Sequence, residues 1–155
     1  MGFIEFVKNV GRKLGVEEDR SQVQSPQSAG APEQKAAALA TLIRQLGLSA
    51  DDLDIRVEGD QVTLTGTVES QAEREKIVLL VGNTEGIGRV DDQLQVARPE
   101  PPATLYTVQS GDTLSKIAQQ HYGNANQYPR IFEANRPLLR DPDEIYPGQV
   151  LRIPR

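Results

Sequence analysis

The stretch with the clearest capacity for binding chemistry is GNTEGI, residues 82–87, which follows a predicted helix. The last carbonyl oxygens of a helix lack intrahelical partners and carry partial negative charge. Two glycines, Gly82 and Gly86, let such a loop fold tightly with its oxygens turned inward. Several neutral carbonyls together can replace the water shell of a large monovalent cation. Loops containing glycine are more often plain turns, so the residues alone leave both interpretations open.

Other chemistries find little support in the composition. The chain has no cysteine, which excludes disulfides, thiolate catalysis and Cys-based zinc sites. Its single histidine, His121, excludes a His-rich metal site within one chain. No alternating acidic loop of the calcium-binding type is present, and the acidic pairs at 51–52 and 91–92 are typical of surface charge or strand ends. We therefore expect a protein that is not an enzyme.

Charge and hydropathy narrow the possible partners and compartment. The net charge of −5 argues against a nucleic-acid binder, which should show a basic face. No apolar run approaches the roughly 20 residues that a membrane-spanning helix requires. The start, MGFIEFVKNV, lacks the basic region of a secretory signal and carries charges within its apolar part. We expect a cytoplasmic, monomeric protein.

The first 32 residues divide into two segments. Residues 1–15 form an amphipathic segment in which five apolar side chains share one helical face: Phe3, Phe6, Val7, Val10 and Leu14. We favour docking of this face on the protein's own domain over a membrane surface or an oligomer contact. Residues 16–32, rich in Ser, Gln, Pro and Ala, indicate a flexible linker.

Residues 33–97 have the pattern of one small domain. A helix with apolar residues at 3.6-residue spacing ends at Gly47, and two alternating strands follow, joined by a turn at residues 59–60. Ser70 is positioned to begin a second helix, with Glu73 three residues later as in a capping box. We assign its buried face to Ala72, Ile77, Leu80 and Val81. A third strand covers residues 90–96, and a stiff proline-rich linker occupies residues 98–103.

Residues 104–155 form a second unit. β-forming residues at 106–108 precede a Ser-Gly turn, and Asp112 is placed to cap a helix that ends at Gly123. A second helix at 128–135 is followed, after a Pro-Gly turn, by a short strand at 150–153.

These patterns resemble two known domain families. The runs YTVQSGDTLSKIA, YGNANQYPRIFEANRP and IYPGQVLRIP resemble a LysM domain, which implies a βααβ module. The run VEGDQVTLTGTVESQAEREKIVLLVGNTEGIGRVDDQLQV resembles a BON domain. This second resemblance implies a helix–strand–strand–helix–strand order with both helices on a three-stranded sheet. The expected fold class is therefore α+β, with the two domains linked in series.

The order BON then LysM, behind a short amphipathic start, resembles the small cytoplasmic potassium-binding proteins of bacteria. The resemblance implies that K⁺ is bound by main-chain oxygens, that binding orders the BON domain and its packing with LysM, and that the protein is an ion sensor or buffer that changes conformation. It places the ligands, all backbone carbonyls, at Val7, Lys8, Val10, Gly82, Thr84 and Ile87. The first three require the initial helix to break near residues 7–11.

The LysM resemblance also implies an alternative function, an envelope protein that binds peptidoglycan through N-acetylglucosamine. The groove residues carried over for it are Gly111, Asp112, Thr113, Leu114, Asn135, Pro137, Leu138 and Ile145. Asp112 and Asn135 have an equally ready structural explanation, as a cap and a turn former. A third possibility, a scaffold for another cytoplasmic protein, stays open at the level of sequence.

Overall fold

The computed structural model describes residues 2–6, 32–84, 86–136 and 138–154. The N-terminal unit contains β1 (Gly2–Glu5), α1 (Pro32–Gln45), β2 (Asp51–Glu58), β3 (Gln61–Ser70), α2 (Gln71–Gly82) and β4 (Arg89–Arg98). The C-terminal unit contains β5 (Thr104–Thr107), α3 (Leu114–Tyr122), a 3-10 turn (Ala125–Gln127), α4 (Tyr128–Ala134) and β6 (Val150–Ile153). This order is the α+β arrangement that the sequence predicts.

Local chemistry sets the helix ends and the hairpin. Gly47 has a φ of +80°, and its amide and that of Leu48 bond back to the carbonyls of Arg44 and Ile43, at 3.0 and 3.1 Å, which is a Schellman end for α1. Gly59 and Asp60 form the two-residue turn between β2 and β3. All of these features were expected from the sequence, because each depends on residues close together in the chain.

Three strands of the N-terminal sheet were expected, but the described residues form four, in the order β1-β4-β3-β2. Strand β4 runs parallel to β3, with α2 as the crossover between them, and antiparallel to β1. The apolar side chains of β2, β3 and β4 face α1 and α2 and form one buried cluster. Among the described strands, β1 and β2 therefore lie at the two edges of the sheet.

The additional strand replaces the helix that the periodicity of the first residues predicts, and the helical assignment is wrong for residues 2–5. Gly2–Glu5 pairs with β4 from Asp92 to Arg89. Ile4 packs against the core, Glu5 is exposed, and Phe6 is buried again, which is the alternation of a strand. The unpaired edge of β4 supplies the hydrogen-bonding partner, and that partner is far away in sequence.

A close backbone contact between β2 and β3 explains a glycine in the middle of a strand. The register between these strands shifts between Asp51 and Asp54, and Asp52 has a φ of 56°. Opposite this bulge, Gly66 has a φ of +138°, and a Cβ there would lie 2.9 Å from the carbonyl oxygen of Asp51. Only glycine fits this position without movement of the backbone.

The C-terminal unit is a two-stranded antiparallel sheet, β5 with β6, covered by α3 and α4. Its own core is small: Val108, Leu114, Ile117, Ala118, Ile131, Leu139, Leu151 and Ile153. Two of its apolar side chains, Leu138 and Val150, belong instead to the cluster formed by the N-terminal unit. The two units therefore share buried surface.

Candidate functional site

The turn after α2 is the centre of the candidate site. Ser70 begins the helix, since its hydroxyl accepts a hydrogen bond from the Glu73 amide at 3.2 Å. At the other end Asn83 is the C-cap, and its amide donates to the carbonyl of Leu79 at 2.8 Å. The two caps thus fix the orientation of the turn relative to α2. The last carbonyls of the helix have no intrahelical partners and point toward the turn.

The three predicted ligand oxygens in this turn differ in their surroundings. Within the residues that the structure describes, no backbone amide donates to the carbonyl of Gly82 or of Ile87. The carbonyl of Thr84 accepts the Ile87 amide at 3.2 Å. The Thr84 hydroxyl donates to the carbonyl of Leu80 at 2.9 Å, which ties the turn to its helix. Counting only bonds from the backbone amides of described residues, two of these carbonyls accept none and the third accepts one.

Phe6, close to the start of the chain, contacts the turn after α2. The amide of Phe6 donates to the carbonyl of Gly88 at 3.0 Å. The Phe6 ring covers Gly82 so closely that a Cβ on this glycine would lie 2.0 Å from the ring's Cζ. The other three predicted ligands, Val7, Lys8 and Val10, lie outside the described residues. The structure brings the residue that precedes them into contact with the turn.

The chemistry offered here is that of neutral peptide oxygens. The described residues contain no cluster of three or more His, Asp or Glu side chains that could hold a metal ion. The C-terminus of α2 adds partial negative charge at the turn. Such donors suit a large cation of low charge density better than calcium or magnesium, which favour carboxylates.

The side chain of Asn83 points away from the turn and binds the C-terminal unit. Its Nδ2 donates to the carbonyl of Val150 at 3.0 Å, and its Oδ1 accepts the Val150 amide at 3.0 Å. Asn83 is 7% exposed. The Asn83 side chain therefore makes the two backbone hydrogen bonds with Val150 that a neighbouring strand would otherwise make on that edge of β6.

A buried ion pair in the first half of α2 joins the same two units. Glu75 Oε1 accepts from Arg152 Nε at 2.8 Å, and both side chains are largely buried. Glu75 Oε2 accepts from the Ala103 amide at 2.9 Å and from Gln71 Nε2 at 2.8 Å. Burial lowers the pKa of the neighbouring Lys76, and the positive charge of Arg152 lowers it further. Helix, linker and β6 are thus held by one carboxylate.

The resemblance implied packing of LysM on the BON domain, but sequence reasoning did not identify the residues that make these contacts, although a signal for them was present. The segment Ile77-Val78-Leu79-Leu80-Val81 is apolar on every side of α2, and all five side chains are buried. A helix that is apolar all round must be covered all round. The assignment of one buried face was therefore incomplete, because the C-terminal unit covers the side of α2 that the sheet leaves open.

Of the two explanations open for the acidic pair at residues 91–92, the structure fits strand-end residues and not surface charge. Asp91 and Asp92 are 8% and 7% exposed, so they are not surface charges. Asp92 forms an ion pair with Arg74 of α2 at 2.9 Å and accepts the Leu94 amide at 3.1 Å. These contacts fix α2 on the sheet, and the two carboxylates do not form a metal site with a third acidic residue among the described residues.

At the predicted glycan groove, the turn at residues 111–114 is built differently from expectation. Thr113, not Asp112, is the N-cap of α3 and accepts the Lys116 amide at 3.1 Å. Asp112 instead accepts from the Tyr106 hydroxyl at 2.6 Å and from the Gln109 amide at 2.8 Å. The bond from Tyr106 lowers the pKa of Asp112, with the Gln109 amide adding to the effect, and the same bond raises the pKa of Tyr106.

Two described groove residues that come later in the chain, Asn135 and Leu138, are buried. Asn135 is 2% exposed, and its amide bonds to both the amide and the carbonyl of Arg152. Leu138 is 5% exposed and packs in the cluster of the N-terminal unit. Leu114 is buried, Ile145 is half-buried, Gly111 and Thr113 are exposed, and Pro137 lies outside the described residues. The described groove residues therefore do not form one open surface.

Membrane insertion through a helix finds no support in the part of the chain that the structure describes. None of the helices there is both long and apolar enough to cross a bilayer.

Two domain families match the sequence. The BON domain matches residues 33–98 and the LysM domain matches residues 106–154. Both are binding families without catalytic activity. Esterase Rv1288 of Mycobacterium tuberculosis (strain ATCC 25618 / H37Rv) is 49% identical over 53 residues, which cover 34% of this chain and 11% of the esterase. That similarity is confined to a small part of the esterase.

Longer similarities extend through both domains. An uncharacterized protein of Deinococcus radiodurans is 36% identical over 131 residues, covering 77% of this chain and 51% of that protein. The potassium binding protein Kbp of Escherichia coli O6:H1 (strain CFT073) is 44% identical over 155 residues, covering 99% of each chain. This chain, a BON domain followed by a LysM domain, therefore belongs to the family of the potassium binding protein Kbp.

Proposed function

We propose that this protein binds potassium and serves as a sensor or buffer for that ion. The observation that carries the proposal is the 44% identity, over 99% of both chains, with a protein named for potassium binding. The donor set at the turn after α2 supports it independently. Peptide oxygens without carboxylates suit potassium, whose weak hydration can be replaced by neutral dipoles.

In the proposed site, six main-chain oxygens surround the ion. Three come from the turn, at Gly82, Thr84 and Ile87. The other three come from the start of the chain, at the residues already predicted as ligands: Val7, Lys8 and Val10. Phe6 supports this pairing, because its contact with Gly82 brings the start of the chain to the turn.

The proposed consequence of binding is a change in the packing of the two domains. An ion that binds only when the turn and the start of the chain are together favours the conformations in which both are ordered. The turn is continuous with α2, and α2 contacts β6 of the LysM domain through Asn83 and Glu75. Ordering of the turn therefore favours the docked arrangement. We further propose that the protein acts in the cytoplasm as a monomer.

Isothermal titration with KCl, at constant ionic strength set by choline chloride, tests the ion assignment. Binding heat is expected with KCl and not with NaCl or CaCl₂ at matched concentrations. Asp51→Asn is the control variant, because Asp51 is exposed at the start of β2 and its charge has no part in the proposed site. Equal responses to sodium and potassium, or none, reject the potassium function.

Sedimentation with purified peptidoglycan separates this function from the alternative. The burial of Asn135 and Leu138 predicts that the protein stays in the supernatant. Cosedimentation without a potassium response would favour the glycan-binding function instead. Light scattering after size exclusion, with and without potassium, measures the oligomeric state.

A further inference from the structure

Asn83 belongs to the turn after α2 through its backbone and contacts the LysM domain through its side chain. Its backbone forms part of the turn with the proposed ion ligands, and its side chain is bound to a strand of the other domain. The nitrogen of Asn83 belongs to the same rigid peptide group as the carbonyl of Gly82. Anything that fixes Asn83 therefore fixes the direction of a proposed ligand oxygen.

The contact on the LysM side is equally specific. β6 pairs with β5 along one edge, and on its other edge Val150 and Arg152 are bound by side-chain amides. Asn135 binds Arg152 from within the LysM domain, whereas Asn83 binds Val150 from the BON domain. The Val150 amide and carbonyl are buried, so they lose both hydrogen bonds when the domains separate unless water replaces Asn83.

We propose that Asn83 is the positioning residue that couples the potassium site to docking of the LysM domain. This inference rests on the proposed potassium function. With Asn83 bound to β6, the Gly82 carbonyl is held in place before the ion arrives, and ion binding in turn holds Asn83 on β6. Such coupling is reciprocal, so each event must strengthen the other by the same factor.

The test compares wild-type protein with Asn83→Ala, which removes both side-chain hydrogen bonds but keeps the backbone C-cap. Coupling free energies between sites commonly correspond to factors of about 5 to 150. We expect potassium affinity, measured by calorimetry, to fall about tenfold in Asn83→Ala. The matched control is Asn126→Ala, the same substitution at an exposed LysM asparagine, which should leave the affinity unchanged.

Hydrogen exchange provides a readout that a purely structural role of Asn83 would not change. In wild-type protein, saturating potassium should slow exchange of the Val150 amide by the same factor of about ten. Exchange of the Leu151 amide, which faces β5, should change less. In Asn83→Ala, exchange at Val150 should no longer respond to potassium. The potassium dependence of Val150 exchange in wild-type protein can overturn the coupling role even if Asn83→Ala fails to fold.

The outcomes separate the two proposals. If wild-type protein binds no potassium, the proposed function and this inference both fail. If wild-type protein binds potassium but Asn83→Ala binds it equally well, or if the Val150 amide ignores potassium in wild-type protein, only the coupling role of Asn83 is overturned.

Discussion

Replacement of Gly82 by alanine tests the contact that joins the start of the chain to the turn. The backbone at Gly82 does not have a positive φ, so alanine meets no conformational penalty there. The obstacle is the ring of Phe6, since an added Cβ would lie 2.0 Å from Cζ, 2.2 Å from Cε1 and 2.3 Å from Cε2. Carbon atoms in contact prefer about 3.5–4.0 Å, so the ring must retreat by roughly 1.5 Å.

The expected magnitude follows from two opposing effects. Overpacking of a filled site costs about 1–3 kcal/mol, and Phe6 is only 9% exposed, so its ring cannot move freely. Alanine gains at most about 1 kcal/mol over glycine in helix propensity, and less at the last helical residue. We expect Gly82→Ala to lower the free energy of unfolding by about 1–2 kcal/mol.

A double-mutant cycle measured by urea denaturation isolates the steric effect. In a Phe6→Ala background the ring is absent, so Gly82→Ala should cost almost nothing, giving a coupling energy of about 1–2 kcal/mol. Gly86→Ala is the control, because its Cβ meets nothing within 4 Å and its cost arises from a φ of +93° alone. That variant should show no coupling to Phe6.

The same variant has a functional consequence. In the proposed site the ligands Val7, Lys8 and Val10 follow Phe6 directly in the chain, so displacement of Phe6 is expected to lower potassium affinity in Gly82→Ala at least tenfold. The reasoning is refuted if Gly82→Ala is as stable as wild-type protein, or if its coupling to Phe6→Ala lies within about 0.5 kcal/mol of zero.

Three further predictions concern the rest of the fold. Glu75→Gln leaves the buried guanidinium of Arg152 without its counter-charge and should lower the free energy of unfolding by about 3 kcal/mol in urea denaturation; an unchanged value contradicts a buried pair. Asp112→Asn removes a carboxyl whose lowered pKa stabilises the fold above the pKa of an unfolded aspartate, a contribution lost as the pH falls through the lower folded value. The thermal unfolding midpoint of wild-type protein should therefore fall more steeply at acid pH than that of the variant. Parallel pH profiles of the two midpoints would contradict this role of Asp112. Gly66→Ala should lower the free energy of unfolding by about 2 kcal/mol or more, from its φ of +138° and the Asp51 carbonyl, and an unchanged midpoint in urea excludes that contact.

Features encoded within a few residues were predictable from the sequence. Ser70 caps α2, Gly47 ends α1, and Gly59 with Asp60 turns the first hairpin, because each depends on hydrogen bonds or dihedral angles of immediate neighbours. Asp112 shows the limit of such reasoning. Thr113, one residue later, can cap equally well, and Tyr106 offers the carboxylate a partner that no local rule reveals.

Features that depend on distant partners were not predictable in the same way. Spacing of apolar residues at the start of the chain fits a helix, but β4 offers an open edge, and Gly2–Glu5 joins it as a strand. Asn83 and Glu75 look like an ordinary turn residue and an ordinary helix-surface charge. Only the position of β6 turns them into buried contacts, at separations of 67 and 77 residues.

The contacts between the domains also have a consequence for orientation. Apolar contact alone, such as that of Leu138 and Val150 with the BON core, tolerates small rotations of one domain on the other. The Glu75–Arg152 pair and the Asn83 amide do not, because a buried charge or a buried amide loses its partners as soon as the geometry changes. One contact lies in the first half of α2 and the other at its C-cap, and both engage the same strand, β6. Two fixed points on one strand restrict its direction along the helix more closely than apolar contact alone would.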